Sequence, residues 1–173
     1  MRTGMIICLA GFALMMGCTS VPSNEDLSAV ADFDASRYMG VWHEVARLPQ
    51  WFQRGMTDVT ATYSLEGDML RIVNEGTRDG IRKTAEAKGY FAGEPTVGLF
   101  RVTFFWPFYS DYKILWISPG CDLALVTSED RNSLWILARS LPVDQECLQK
   151  LRDRAESMGF DISRLEWSSG TGN

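Results

Sequence analysis

Histidine is almost missing from this chain: His43 is the only one in 173 residues. A single imidazole rules out multi-histidine metal sites and leaves no histidine base for catalysis unless His43 itself serves. The sequence also has no Gly-x-Ser-x-Gly, no phosphate-binding loop and no metal-ligand spacing, and no pair of its carboxylates stands out as a catalytic pair. No metal, cofactor or catalytic residue is therefore expected. Basic charge is also scarce, with 17 Lys and Arg against 22 Asp and Glu and a formal charge of -5. Without a basic field to hold phosphates, nucleic acid is not an expected partner. The most conspicuous apolar run, Met5 to Met16, is shorter than the roughly 20 residues that cross a bilayer as a helix. What is abundant is apolar and aromatic, 46% and 12% of the chain, which suits one domain with a substantial core.

Arg2, the apolar run and then Gly17-Cys18 have the layout of a secretory signal. Leu14-Met15-Met16-Gly17-Cys18 resembles the lipobox of bacterial lipoproteins, in which a small residue precedes a Cys that is acylated and becomes the new N-terminus. Met15 stands where that box usually has Leu, and the alternative is an ordinary cleaved signal with a chance Cys. On the lipoprotein reading, residues 1–17 are the signal, Cys18 is the lipidation site and 18–31 are a polar tether. Residues 32–168 then form the folded domain, and 169–173 are a flexible tail. Thr19 rather than Asp after the Cys resembles an outer-membrane address, with the domain on the periplasmic face.

Beyond the tether, strand-like runs recur at Trp42–Leu48, Asp58–Leu65, Leu70–Arg78, Lys83–Ala92, Leu99–Phe105, Tyr112–Ile117, Leu123–Thr127 and Leu134–Arg139. Short links of turn chemistry separate them, among them Glu66-Gly67-Asp68, Asp79-Gly80 and Ser118-Pro119-Gly120, and leave no room for crossover helices. The expected fold is all-β, an eight-stranded antiparallel up-and-down barrel. One helix is expected to pack outside it, opening at Asp144, carrying Cys147, Leu148, Leu151, Ala155 and Met158 on one face, and ending at Gly159. A short strand, Ser163 to Trp167, follows.

The chain is organised around Tyr38-Met39-Gly40-Val41-Trp42-His43-Glu44-Val45-Ala46-Arg47. By alternation Trp42, Glu44, Ala46 and Leu48 share one face, and Val41, His43, Val45 and Arg47 the other. That places Glu44 inside, where its pKa rises if no cation accompanies it. Gly40-x-Trp42, the eight meandering strands, Leu134 to Arg139 and the single late helix together resemble a lipocalin, and more narrowly the bacterial outer-membrane lipocalins. Gln53-Arg54-Gly55, Val59 to Ser64, Gly89 to Thr96, Phe104 to Tyr109 and Gly159-Phe160-Asp161 support the likeness, which covers residues 36 to 168. The resemblance implies that Trp42 closes one end of the barrel under Arg139, with Gly40 admitting the chain. His43 stands where the family usually has Tyr, and Ser118-Pro119-Gly120-Cys121 stands where it has a Thr-Asp-x-x-Tyr motif.

The implied function is binding, storage or transport of a fatty acid, lysophospholipid or similar small hydrophobic molecule, by a monomer or weak homodimer anchored to the membrane through N-terminal acyl chains. Candidate ligand contacts are Glu44, Trp51, Phe52, Tyr63, Phe91, Phe104, Trp106, Tyr112, Trp116 and Trp135, with Arg47 or Arg54 available to an anionic head group. Two other readings stay open: a lipid-modifying enzyme on the same barrel, acting through Glu44 or tyrosines, and an envelope-maintenance lipoprotein acting through protein contacts. Cys121 and Cys147 both fall toward the Trp42 end by strand counting, so they either form a disulfide or remain two separate thiols.

Overall fold

A computed structural model describes residues 27–120 and 122–168. A short helix α1 (Ala35–Tyr38) is capped by Asp34, whose Oδ1 accepts from the Ser36 and Arg37 amides, and leads into β1 (Gly40–Arg47). Seven more strands follow in antiparallel sequence: β2 (Thr57–Glu66), β3 (Met69–Arg78), β4 (Ile81–Phe91), β5 (Leu99–Phe105), β6 (Phe108–Ile117), β7 (Leu123–Thr127) and β8 (Trp135–Ala138). Helix α2 (Gln145–Ser157) and a two-residue strand β9 (Glu166–Trp167) complete the order. The expected strands are all present, with one boundary moved substantially: β6 starts at Phe108, so β5 and β6 form a tight hairpin around Trp106-Pro107.

Closure falls to β1. Its first half, Gly40 to His43, pairs with β2; its second half, from His43, pairs with β8, and Ala46 and Arg47 also pair with β9. The eight strands therefore form a barrel without a free edge between β1 and β2 or between β1 and β8. Register with β8 runs Glu44 to Leu137 and then Ala46 to Ile136, so Val45 is an extra residue, a bulge that reverses which side of the strand faces in. A second bulge at Leu115 does the same in β6, where Ile114 opposes Val126 but Trp116 opposes Leu125.

Two cores result. The inner one fills the barrel with Phe33, Tyr38, Trp42, Tyr63, Leu70, Ile72, Phe100 and their neighbours. The outer one lies between the barrel wall and α2, where Leu148, Leu151 and Ala155 meet Leu115, Leu125 and Ile136. Asp144 caps α2 by accepting from the Glu146 and Cys147 amides, and Gly159 ends it at φ 84°, a left-handed turn that favours glycine. Leu27 is buried in the outer core, and Val30 is hydrogen-bonded between Gly98 and Ile114. The tether expected over 18–31 is thus already part of the folded domain from Leu27 onward.

At one end the barrel is shut. The Arg139 guanidinium lies 4.0 Å from the centre of the Trp42 ring, and it donates to the carbonyls of Val41 at 3.0 Å and Arg37 at 2.7 Å. The Trp42 indole donates to the Tyr38 carbonyl at 2.8 Å. Gly40 has φ 95°, and a Cβ there would lie 3.3 Å from the Arg139 side chain, so the close approach requires glycine. Removing the fully buried Trp42 ring leaves a large cavity and strips Arg139 of its stacking partner, so Trp42→Ala is expected to lose about 3 to 5 kcal/mol. Urea unfolding measures this, and an unchanged midpoint would show that the ring does not hold the base.

Candidate ligand-binding site

Up-and-down connectivity puts the β1–β2, β3–β4, β5–β6 and β7–β8 links at the end opposite Trp42. This end is the mouth. Cross-strand partners face the same side, so the inner face can be followed upward. Leu70 pairs with Gly89 and Gly89 with Val102; Ile72 pairs with Ala87, and Asn74 with Ala85. Since Leu70, Ile72, Ala87 and Val102 belong to the inner core, Ala85 also faces in, as does Ser110, the partner of Val102. Gly89 and Ala87 are buried whereas Ala85 and Ser110, nearer the mouth, are exposed. The wall from β4 to β6 is therefore lined by small residues and opens toward solvent at its top.

The opposite wall is closed by a polar cluster. After the bulge at Val45, Arg47 points inward like Glu44, and its guanidinium forms a buried ion pair with the Glu44 carboxylate. Gln53 donates to the other Glu44 oxygen at 2.8 Å and accepts from the Trp135 indole at 2.8 Å. Arg47 also reaches Glu166 at 3.0 Å and the Gln53 carbonyl at 3.2 Å. Glu44 and Arg47 are only 3% and 6% exposed, so these contacts substitute for water. Burial lifts the Glu44 carboxyl above its ordinary value, and Arg47 and Gln53 draw it partly back.

Deeper in the barrel the Tyr112 hydroxyl lies 2.7 Å from both the Tyr38 and the Tyr63 hydroxyls. Burial raises the Tyr63 pKa to about 12 and pushes Tyr38 and Tyr112 well above the ordinary phenol value, so all three stay neutral. Phe33, Phe91 and Phe100 pack around them, with Phe91 and Phe100 centroids 4.7 Å apart. Rings occupy the lower barrel, and above them the inward positions Ala85 and Ser110 are open to solvent.

The Lipocalin-like domain model matches residues 33–170. The chain belongs to the lipocalin family. It is 38% identical to the Outer membrane lipoprotein Blc of Escherichia coli K12, over 92% of each chain. Its identity to the protein of the same name from Vibrio cholerae is 36%, over 88% of this chain and 90% of that one. Temperature-induced lipocalin-1 of Arabidopsis thaliana is 32% identical, over 82% and 81%. Among solved structures, insecticyanin from Manduca sexta superposes with a TM-score of 0.68 at 21% identity, covering 83% of this chain and 84% of that one.

Within this lipocalin the expected contact residues divide. Glu44, Tyr63, Phe91, Tyr112 and Trp135 lie inside the barrel, Tyr63 and Tyr112 joined by their hydroxyls and Glu44 and Trp135 bridged by Gln53. Phe104, at the bulged end of β5, is 45% exposed. Trp51 and Trp106 are 84% and 81% exposed and Phe52 is 49% exposed, so these rings stand on the rim rather than in the lumen. Trp116 is a correction: the Leu115 bulge turns it outward, where it packs beneath α2 with the Arg154 guanidinium 5.1 Å from its ring. Arg47 is corrected in the other direction, from the outer face to the inner. Tyr38, Phe100 and Gln53 are not among the expected contacts; Tyr38 and Phe100 are inner-core rings, whereas Gln53 acts from a loop, where only the segment Gln53-Arg54-Gly55 of the family likeness points to it. Cys147 carries a free, half-buried thiol, and Cys121 lies outside the described residues.

The raised Glu44 pKa has a signed consequence. A carboxyl with the higher pKa in the folded state favours that state most below its ordinary value of 4.5, and this contribution is lost as pH rises through the folded value. Glu44→Gln is neutral at every pH. The stability of the wild type relative to this variant is therefore expected to fall as pH rises from 4.5 toward neutrality. Denaturant unfolding of both proteins at stepped pH tests it, and a flat difference would mean that Arg47 compensates fully for burial.

Proposed function

We propose that this lipocalin binds a fatty acid, a lysophospholipid or a similar single-chain amphiphile in the space above its ring-filled floor, and that it does so tethered to the periplasmic face of the outer membrane. The observation that carries the reading is the one-sided calyx: a shut base, a wall of Gly89, Ala87 and Ala85, and inward-facing positions whose exposure rises toward the mouth. The small-residue wall suits an acyl chain, and Asn74, Lys83 and Ser110 at the inward positions nearer the mouth suit a polar head. The names of the Escherichia coli and Vibrio cholerae relatives support an outer-membrane lipoprotein, as do Gly17-Cys18 and Thr19 in this sequence.

Binding is favoured over catalysis by the state of Glu44. A general base needs a free lone pair directed at substrate, whereas this carboxylate is held by Arg47 and Gln53. Arg47 is equally committed, which leaves Arg54, on the loop between β1 and β2, as the arginine available to a head group.

Ala85→Trp fills the calyx at a solvent-accessible inward position. It is expected to weaken a fluorescent fatty acid more than tenfold while the unfolding midpoint stays within a degree or two of wild type. Native mass spectrometry of the purified wild type should show retained lipid, and unchanged affinity in the variant would place the ligand elsewhere. For the anchor, Cys18→Ser is expected to move the protein from the membrane fraction to the soluble fraction or leave it unprocessed. Fractionation identical to wild type would remove the lipoprotein assignment.

A further inference from the structure

Five of the most exposed large apolar side chains stand at one end of the molecule. Trp51 is 84% exposed, Phe105 80%, Trp106 81%, Phe108 78% and Ile81 58%. They occupy three of the four mouth connections: the loop between β1 and β2, the β3–β4 hairpin and the β5–β6 hairpin. Scattered exposed apolar residues need no explanation, but rings concentrated at one pole do. They do not line the calyx, because side chains this open to solvent cannot bury an acyl chain. The segment Phe104-Phe105-Trp106-Pro107-Phe108-Tyr109 contains no charge at all.

The charges nearby are mixed, with Asp58, Asp79, Glu129 and Asp130 at the same end, but arginines stand beside the rings. Trp51 lines a surface cavity together with Arg54 and Arg164, with Glu166 as the one acid in the lining. Arg78, Arg82 and Lys83 flank Asp79 at the neighbouring β3–β4 hairpin. At the shut end the connections carry Glu66, Asp68, Glu94 and Asp122 and none of these exposed rings. Arg37 and Arg139 stand beside these acids at the base, so what distinguishes the two ends is the exposed rings, which are concentrated at the mouth.

We infer that the aromatic rim docks the mouth into a phospholipid surface, so that the calyx takes its ligand from the bilayer rather than from solution. Indole and phenyl groups suit the interfacial region, and arginines at the same level meet lipid phosphates. The inference rests on the anchored-lipocalin reading, and the chain length fits it. Leu27 is nine positions after Cys18, a reach of at most about 30 Å. Leu27 leaves from the barrel flank, and a tilted ten-residue strand gives a barrel about 25 Å tall, so an acylated Cys18 allows the rim to reach the membrane that holds it.

The test uses the acylated protein in phosphatidylethanolamine and phosphatidylglycerol vesicles containing a brominated phosphatidylcholine, with the N-terminal acyl mass read on the same sample. Tryptophan quenching by bromine is expected to be at least twofold greater in wild type than in the Trp51→Phe, Trp106→Phe double variant. Transfer of a fluorescent fatty acid from the vesicles is expected to slow at least tenfold in a Trp51→Ser, Trp106→Ser, Phe108→Ser variant whose solution affinity for the same probe stays within twofold. Acylated wild type that binds the probe in solution but is not quenched overturns docking and keeps the ligand reading; wild type that is quenched but binds no probe does the reverse. Equal quenching in wild type and the double variant, or transfer at an unchanged rate, also overturns docking. So does an unquenched wild type that sediments as a dimer and becomes monomeric on rim substitution, since the rim is then a protein interface.

Discussion

A sheet loses its free edges when its first and last strands meet, and in this chain that duty falls on eight residues of β1. One half of the strand must follow β2 and the other β8 and β9, and no straight strand satisfies both. The extra residue at Val45 resolves the conflict by bending β1 where its partners change. The same bend decides the chemistry of the interior. Without it Arg47 faces outward and Glu44 is a buried carboxylate without a cation, a state that costs several kcal/mol or forces protonation. With it, two charges neutralise one another inside the barrel, and Gln53 ties them to Trp135 and to the loop between β1 and β2.

The two ends of β1 are stabilised by different physics. At the base, Trp42 is fully buried and Arg139 stays at the surface, so the stack gains cation–π energy without desolvating the whole guanidinium. At the mouth the ion pair is itself buried, and its desolvation offsets much of its attraction. Stability therefore belongs mainly to the base and the two apolar cores, while the mouth cluster contributes position. It sets the loop that carries Trp51 and Arg54, because Gln53 lies between them in sequence and is held on both sides of its amide.

The strand order and the capped helix were legible in the sequence because each rests on a local signal, whereas the closed barrel and its base were what the family resemblance implied. Alternation marks strands, turn residues mark hairpins, and Asp144 and Gly159 bracket a helix of three- and four-residue spacing. What alternation alone does not reveal is a bulge. A strict two-residue period places Trp116 in the lumen and Arg47 outside, and the structure reverses both because the period does not carry past an inserted residue, Leu115 in β6 and Val45 in β1. The rings of the mouth loops are a different case. Trp51 and Trp106 have the composition of a ligand pocket, and only their exposure separates a ring facing the lumen from one facing outward.

The filled floor sets the depth of the site. Tyr38, Tyr63, Tyr112, Phe100 and Ala87 fill the lower barrel, and β4 is open to solvent from Ala85 up to Ile81. Four residue steps of strand at the tilt of an eight-stranded barrel give a depth of about 10 Å. The floor is not purely apolar, since the three tyrosine hydroxyls share two hydrogen bonds among them and one O–H remains without an acceptor inside the triad. Its neutrality at all ordinary pH, with Tyr63 pushed up to about 12, means that the floor accommodates an alkyl end without presenting it a charge. For the single-chain amphiphile proposed here, a pocket this shallow holds the apolar tail and leaves the head group at the rim. There the arginines and exposed rings stand, so the depth of the calyx and the composition of its mouth impose the same orientation on the ligand.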